Sequence, residues 1–117
     1  YEDDHTLAFM DVNPQADGHT LIVPKTEAES IFDLDVEMSA SLIRTTQKVA
    51  KAVKKALDCE GLMLAQLNGS AAGQTVFHIH FHVIPRNNGP SLGLHGRSKA
   101  ETEHLETIAE KIRAALD

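Results

Sequence analysis

Tryptophan is absent from this chain, and cysteine occurs once, at position 59. A single cysteine allows no intramolecular disulfide and no zinc site built on a cysteine pair. Such usage suits a reducing compartment and points to the cytoplasm. Cys59 stands in ALDCEG, near the expected end of a helix. It reads as inert packing rather than as a nucleophile. Aromatic residues are few, and four Phe with one Tyr leave little for a base-stacking surface. Positive charge is in deficit: 11 Lys and Arg face 17 Asp and Glu, a formal net charge of -6. General attraction to nucleic acid or to an anionic membrane is therefore disfavoured. No apolar run approaches the ~18 residues of a membrane span, and no signal-peptide pattern is visible. An anionic ligand has to be held by local donors instead of the overall field.

What is present is enough for one domain spanning residues 1–117, with 42% hydrophobic residues to build a core. HTLAFM (5–10) reads as a strand ending at Asp11, and NPQADG (13–18) is turn chemistry. HTLIV (19–23) reads as a second strand stopped by Pro24. Thr26 with Glu29 makes a capping box for a short helical turn over about 27–32. A long helix is expected over about 36–57, capped by Asp35, with Leu42, Ile43, Val49, Ala50, Val53 and Leu57 on one stripe. Its lysines 48, 51, 54 and 55 read as a solvated face that complements the helix dipole. Gly61 ends that region, LMLAQL (62–67) reads as a third strand, and NGSAAGQ (68–74) as a loop. A strand follows over about 75–84, terminated by Pro85, and residues 87–96 are loop. Ser98 with Glu101 caps a final helix over about 99–115, with Leu105, Ile108, Ala109, Ile112 and Leu116 on one side. Strand, strand, helix, strand, strand, helix, joined by short turns, predicts an α+β domain with an antiparallel sheet.

The chemistry concentrates in HIHFHVIP (78–85). On a strand, side chains alternate between faces, so His78, His80 and His82 share one face and Ile79, Phe81 and Val83 the other. Successive imidazoles then start ~6.6 Å apart, two rises of ~3.3 Å. Three readings of that face stand side by side. It is a solvated surface, a metal site, or a center for phosphorus chemistry. Metal is the less favoured of the last two, because no Asp, Glu or Cys lies among the histidines or in the loop before them. Three evenly spaced imidazoles on a straight strand also converge poorly on one ion at ~2.0–2.1 Å. Phosphorus chemistry needs neither metal nor carboxylate. A neutral imidazole is a ready nucleophile at pH 7, and its neighbors supply hydrogen bonds and a proton. The small residues of Gly69–Gly73 let backbone N–H groups approach a phosphate closely, with Gln74 and Thr75 as further donors.

GQTVFHIHFHVIPR (73–86) resembles the signature of the histidine triad (HIT) superfamily, and residues 1–25 resemble that family's N-terminal strands. The resemblance implies a HIT-like α+β domain with a five-stranded antiparallel sheet, usually a homodimer whose sheets join into one of ten strands. It implies hydrolases or transferases acting at the α-phosphate of a purine nucleotide, without a cofactor. By position His80 is the nucleophile, and His82 and His78 support the phosphate and leaving group. His19 buttresses the triad. Asp11 matches the residue that holds the ribose hydroxyls, with Val12 beside it against the base. Gly73 and Gln74 match the phosphate loop, and Thr75 a hydroxyl donor. His5, His95 and His104 match nothing in the pattern and read as surface residues.

Three departures qualify the branch. Many members carry Asn or Gln eleven residues before the first triad histidine; here that position is Leu67, and Asn68 beside it is the candidate ribose ligand. The segment that precedes the Tyr-Glu-Asp-Asp stretch in many members is missing, so the Cys-x-x-Cys zinc pair some carry there is not expected. Arg86 follows Pro85, where some phosphoramidase members end on Gly-Gly-Arg. The favored reading is a Hint-like phosphoramidase. Its alternatives are a Fhit-like diadenosine-polyphosphate hydrolase and a nucleotide-binding signalling module whose hydrolysis is incidental.

Overall fold

Period-two alternation and one long amphipathic stripe decide the architecture. A computed structural model describes residues 1–88 and 99–116. Strands β1 (Thr6–Met10) and β2 (Thr20–Pro24) come first, then helix α1 (Val36–Leu57), strands β3 (Gly61–Ala65) and β4 (Phe81–Arg86), and helix α2 (Thr102–Ala115). The described strands form one antiparallel sheet in the order β1-β2-β4-β3. The α+β class is as expected. Four strands are described where the resemblance implies five. The helix α1 packs across all four, and α2 packs on α1 and β1. No helix among the described residues is long and apolar enough to cross a membrane.

Helix α1 has the expected bounds. Asp35 accepts from the Met38 N–H, satisfying one of the unpaired donors at the helix start. The helix ends on Asp58 in a left-handed conformation (φ 47°), not on Gly61. Its buried stripe is Leu42, Thr45, Thr46, Val49, Ala52 and Val53; Ile43, expected on it, is 48% exposed. Leu42, Val49, Ala52 and Val53 meet Ala8, Ile22, Ile79 and Val83 from the sheet side and Ile108 and Ile112 from α2 in one cluster. Burying each large aliphatic side chain contributes about 1.5–3 kcal/mol. The polar side chains at its edge are paired: the Thr6 and Thr45 hydroxyls lie 2.7 Å apart, and both are within hydrogen-bond reach of the Asp3 carboxylate.

Several expected boundaries shift. The capping box forms between Ser30 and Asp33 around a 3₁₀ turn at Ile31–Asp33, not between Thr26 and Glu29. Asp33 reaches back to the Ser30 N–H as a Glu does in the longer version of the motif. Helix α2 starts at Thr102 with Glu101 as its N-cap residue, and Ser98 and His95 lie outside the described residues. The histidine strand begins at Phe81, so His78 and His80 precede the ladder. Pro85 does not end that strand; it stands opposite Leu62 of β3. The pairing of β4 with β2 runs only from Phe81 to Val83. Beyond it β4 has one neighbor, so the N–H that proline lacks is not needed on the other side.

Candidate active site

The register of the sheet assembles the site. Phe9 of β1 stands opposite Leu21 of β2, and Leu21 opposite His82 of β4. All three face away from the helices, because their sequence neighbors Ala8, Ile22 and Val83 are in the core. The alternation expected of 78–83 thus holds for the apolar face: Ile79, Phe81 and Val83 all pack into or against the core. On the other face a cavity of about 470 Å³ is lined by His80, His82, Asp11, Val12, Gly73, Gln74 and Thr75, with Phe9, Met10, Leu21, Leu67 and Val76. Grooves of about 590 and 650 Å³ along α1 are larger. Neither carries paired imidazoles, so size does not mark the site.

The partners of each ring fix where its proton sits. His80 Nδ1 lies 2.8 Å from the carbonyl of His78. A carbonyl only accepts, so Nδ1 carries the hydrogen and the neutral ring keeps its lone pair on Nε2. His78 behaves differently. A bend at residues 76–78 turns its Nε2 toward the Pro24 carbonyl at 3.0 Å, and the ring does not line the cavity. His19 is fully buried, and its Nδ1 accepts from the Gln15 N–H at 3.1 Å. Its neutral ring therefore carries hydrogen on Nε2, which donates to His82 Nδ1 at 2.9 Å. With Nδ1 accepting, neutral His82 holds its hydrogen on Nε2. The rings of His80 and His82 meet edge to face, 4.9 Å between centroids. Adjacent imidazoles thus present opposite characters: a lone pair on His80 Nε2 and a proton on His82 Nε2.

Asp11 completes the cluster. One carboxylate oxygen accepts from the Asn13 N–H at 2.8 Å, and the other lies 3.4 Å from His19 Nε2. Asp11, His19 and His82 bring three metal-ligating atoms within 4.8 Å of one another. The imidazole nitrogens stand 2.9 Å apart, a hydrogen-bond length. Ligand atoms ~2.0–2.1 Å from a tetrahedral zinc are ~3.3 Å apart, so the spacing here matches proton sharing.

The approach loop is built otherwise than a bare phosphate nest. A 3₁₀ turn at Ser70–Ala72 uses the N–H groups of Ala72, Gly73 and Gln74 on the carbonyls of Gly69 and Ser70. Gly69 and Gly73 hold positive φ values of 89° and 101°, which glycine adopts without strain. The buried Gln74 amide staples the loop: it accepts from the Gly69 N–H at 2.7 Å and donates to the carbonyls of Glu29 and Val76. Thr75 is exposed on the cavity wall. Asn68 is not in the cavity. Its side chain accepts from the Ile31 N–H at 2.8 Å and exchanges two bonds with Gln66, while Leu67 takes the cavity position. The apolar wall of Phe9, Leu21, Leu67 and Val76 was not singled out from sequence. Its signal was the alternation of HTLAFM, which puts Phe9 on the face away from Ala8.

The chain is similar to known proteins over most of its length. The family model for the HIT domain matches residues 1–89. The chain is 36% identical over 120 residues to Protein hit of Bacillus subtilis, covering 99% of this chain and 83% of that protein. It is 37% identical over 86 residues to adenylylsulfatase HINT3 of Arabidopsis thaliana, covering 74% of this chain and 44% of that protein. The crystal structure of a HIT-like protein involved in cell-cycle regulation from Bartonella henselae superposes with a TM-score of 0.91 at 49% identity, covering 98% of this chain and 83% of that one.

Proposed function

We propose, from the premise that this chain belongs to the histidine triad (HIT) family, that it hydrolyses nucleotides at the α-phosphate through a covalent nucleotidyl-His80 intermediate. That family is one of nucleotide-binding proteins and hydrolases. Purine nucleoside phosphoramidates are the substrates in this reading. The observation that carries it is the bond between His80 Nδ1 and the His78 carbonyl, which reserves Nε2 for attack.

In the first step His80 Nε2 attacks phosphorus, and an N–P bond forms as the bond to the leaving amine breaks. The Nε2–H of His82, which stays neutral throughout, hydrogen-bonds the departing nitrogen, and the amine takes its proton from water. In the second step water attacks the nucleotidyl-imidazole, and its proton returns to solvent. The His80–phosphorus bond breaks and the mononucleotide leaves. His19 buttresses His82 from behind, and His78 serves through its carbonyl. Asp11 takes the ribose hydroxyls with its remaining lone pairs, Thr75 donates to the phosphate, and Gly73 lets it approach. The base lies against Val12 and the apolar wall formed by Phe9, Leu67 and Val76. The working unit is a homodimer joined along the edge strand β3.

The test is hydrolysis of adenosine 5′-phosphoramidate after exhaustive chelation, wild type beside His80→Ala. Release of AMP by the wild type, falling at least ~100-fold in the variant while circular dichroism is unchanged, is the expected result. Equal turnover by the two proteins would sink the mechanism. Adenylyl sulfate and a diadenosine polyphosphate, assayed in parallel, sort the leaving groups: faster cleavage of either would replace the phosphoramidate as the substrate.

A further inference from the structure

We propose that Gln15 is a positioning residue, clasped by Arg86, whose backbone N–H fixes the tautomers of His19 and, through it, of His82. The inference rests on the reading above, in which His82 Nε2–H is the hydrogen-bond donor to the leaving group. It gives a role to two residues that the mechanism has not used.

Gln15 lies in the turn between β1 and β2, and its side chain is buried. Arg86, at the end of β4, donates from Nη2 to Gln15 Oε1 at 2.8 Å. A guanidinium only donates, so the amide orientation is settled: oxygen toward Arg86 and Nε2 away from it. Gln15 Nε2 is then a buried donor with no hydrogen-bond partner among the described residues. A fold that only needed to fill this space would do better with an apolar side chain, because an unmade buried hydrogen bond opposes folding. The clasp thus holds the turn at a cost in stability, and the turn holds the Gln15 N–H against His19 Nδ1. Pro14, just before it, has no N–H to offer in its place.

The direction of control follows from which groups donate. Hydrogen on His19 Nδ1 would set two donors face to face, and the Nε2 lone pair would then confront the Asp11 carboxylate. Both contacts disfavor that tautomer. Protonation of both nitrogens meets the same obstacle at Nδ1. The neutral His19 ring therefore keeps its hydrogen on Nε2, and neutral His82 accepts at Nδ1 and carries its hydrogen at Nε2. Loosening the turn would let His19 invert and leave His82 without a proton where the leaving group needs it.

Nitrogen-15 NMR of histidine-labeled protein reads these tautomers directly and needs no substrate. The wild type is expected to show His19 and His82 as single Nε2–H tautomers. In Gln15→Met, which keeps bulk and removes the oxygen, the Nδ1–H forms should appear. Turnover should fall about tenfold to a hundredfold, with AMP affinity changed less than about threefold. Arg86→Met breaks the same clasp from the other strand and should give the same spectral change. An Nδ1–H signal for His19 in the wild type would overturn the proposal, as would wild-type tautomers in either variant. Shifted tautomers in a protein that turns over no nucleotide would instead leave this device standing and refute the proposed function.

Discussion

One carboxylate ties the first strand to the long helix. Asp3 accepts from the His5 and Thr6 N–H groups at 2.8 and 2.7 Å, and from the hydroxyls of Tyr1, Thr6 and Thr45. Burial alone would raise its pKa. The two N–H groups and the hydroxyls of Thr6 and Tyr1 outweigh that and hold it far below the ordinary carboxylate value. A depressed native pKa stabilizes the fold fully above the unfolded value of ~3.9, and that stability is lost as pH falls toward the native value. Asp3→Asn should therefore cost about 1 kcal/mol at pH 7, a figure discounted for the site's partial exposure. Urea melts of both proteins at pH 7 and pH 2.5 check this; a difference that does not shrink in acid would assign the effect to packing. Legibility at this scale followed the chemistry. His80, His82, Asp11, Val12, Gly73, Gln74 and Thr75, all picked out in the sequence, line one cavity. Asn68 and His78 do not, because backbone partners at Ile31 and Pro24 claim their side chains. Gln15 reads as ordinary turn material until Arg86, distant along the chain, is brought against it.

Among the described glycines, Gly18 in the turn between β1 and β2 leaves the least room for a side chain. Gly18 has φ +95°, and a β-carbon there would overlap Leu57 Cδ1 and come within 3.1 Å of Pro85 Cγ. Gly18→Ala combines backbone strain with overpacking and should cost about 1–3 kcal/mol. Thermal unfolding would register it, and an unchanged midpoint would mean that Leu57 and the turn both yield. The bounds of α1 were legible because cap, stripe and charge asymmetry agree on them. The histidine strand was misread in extent. Alternation continues from Ile79 through Val83, but pairing starts only where β2 and β3 reach, at Phe81, and strand reach is a tertiary fact. The capping box moved for a related reason: Ser30–Asp33 and Thr26–Glu29 are both legitimate sequence matches, and packing around Ile31 selected the former.

Of the two edge strands among the described residues, β3 lies beside an apolar helix face. Leu64 of β3 and Ile43 of α1 are 47% and 48% exposed, and both line the groove with Leu62 and Ala50. Edge strands left open invite pairing. If two copies meet there, as proposed, Leu64→Glu should give a monomer by sedimentation at concentrations where the wild type is a dimer; a dimeric variant would move the seam elsewhere. The class of the domain was legible at this scale from element order alone, whereas the apolar groove beside β3 was not, because Ile43 reads as a core residue of α1. The position of the ladder's start carries a last consequence. His82 belongs to the doubly paired middle of the sheet, while His80 sits one residue outside the ladder. Local opening of the segment before Phe81 therefore leaves the three central pairings intact. His82 is thus anchored by ladder neighbors on both sides, and His80 by the buried Ile79 beside it and that residue's N–H bond to the Ala28 carbonyl, so amide exchange is expected to be slower around His82 than around His80.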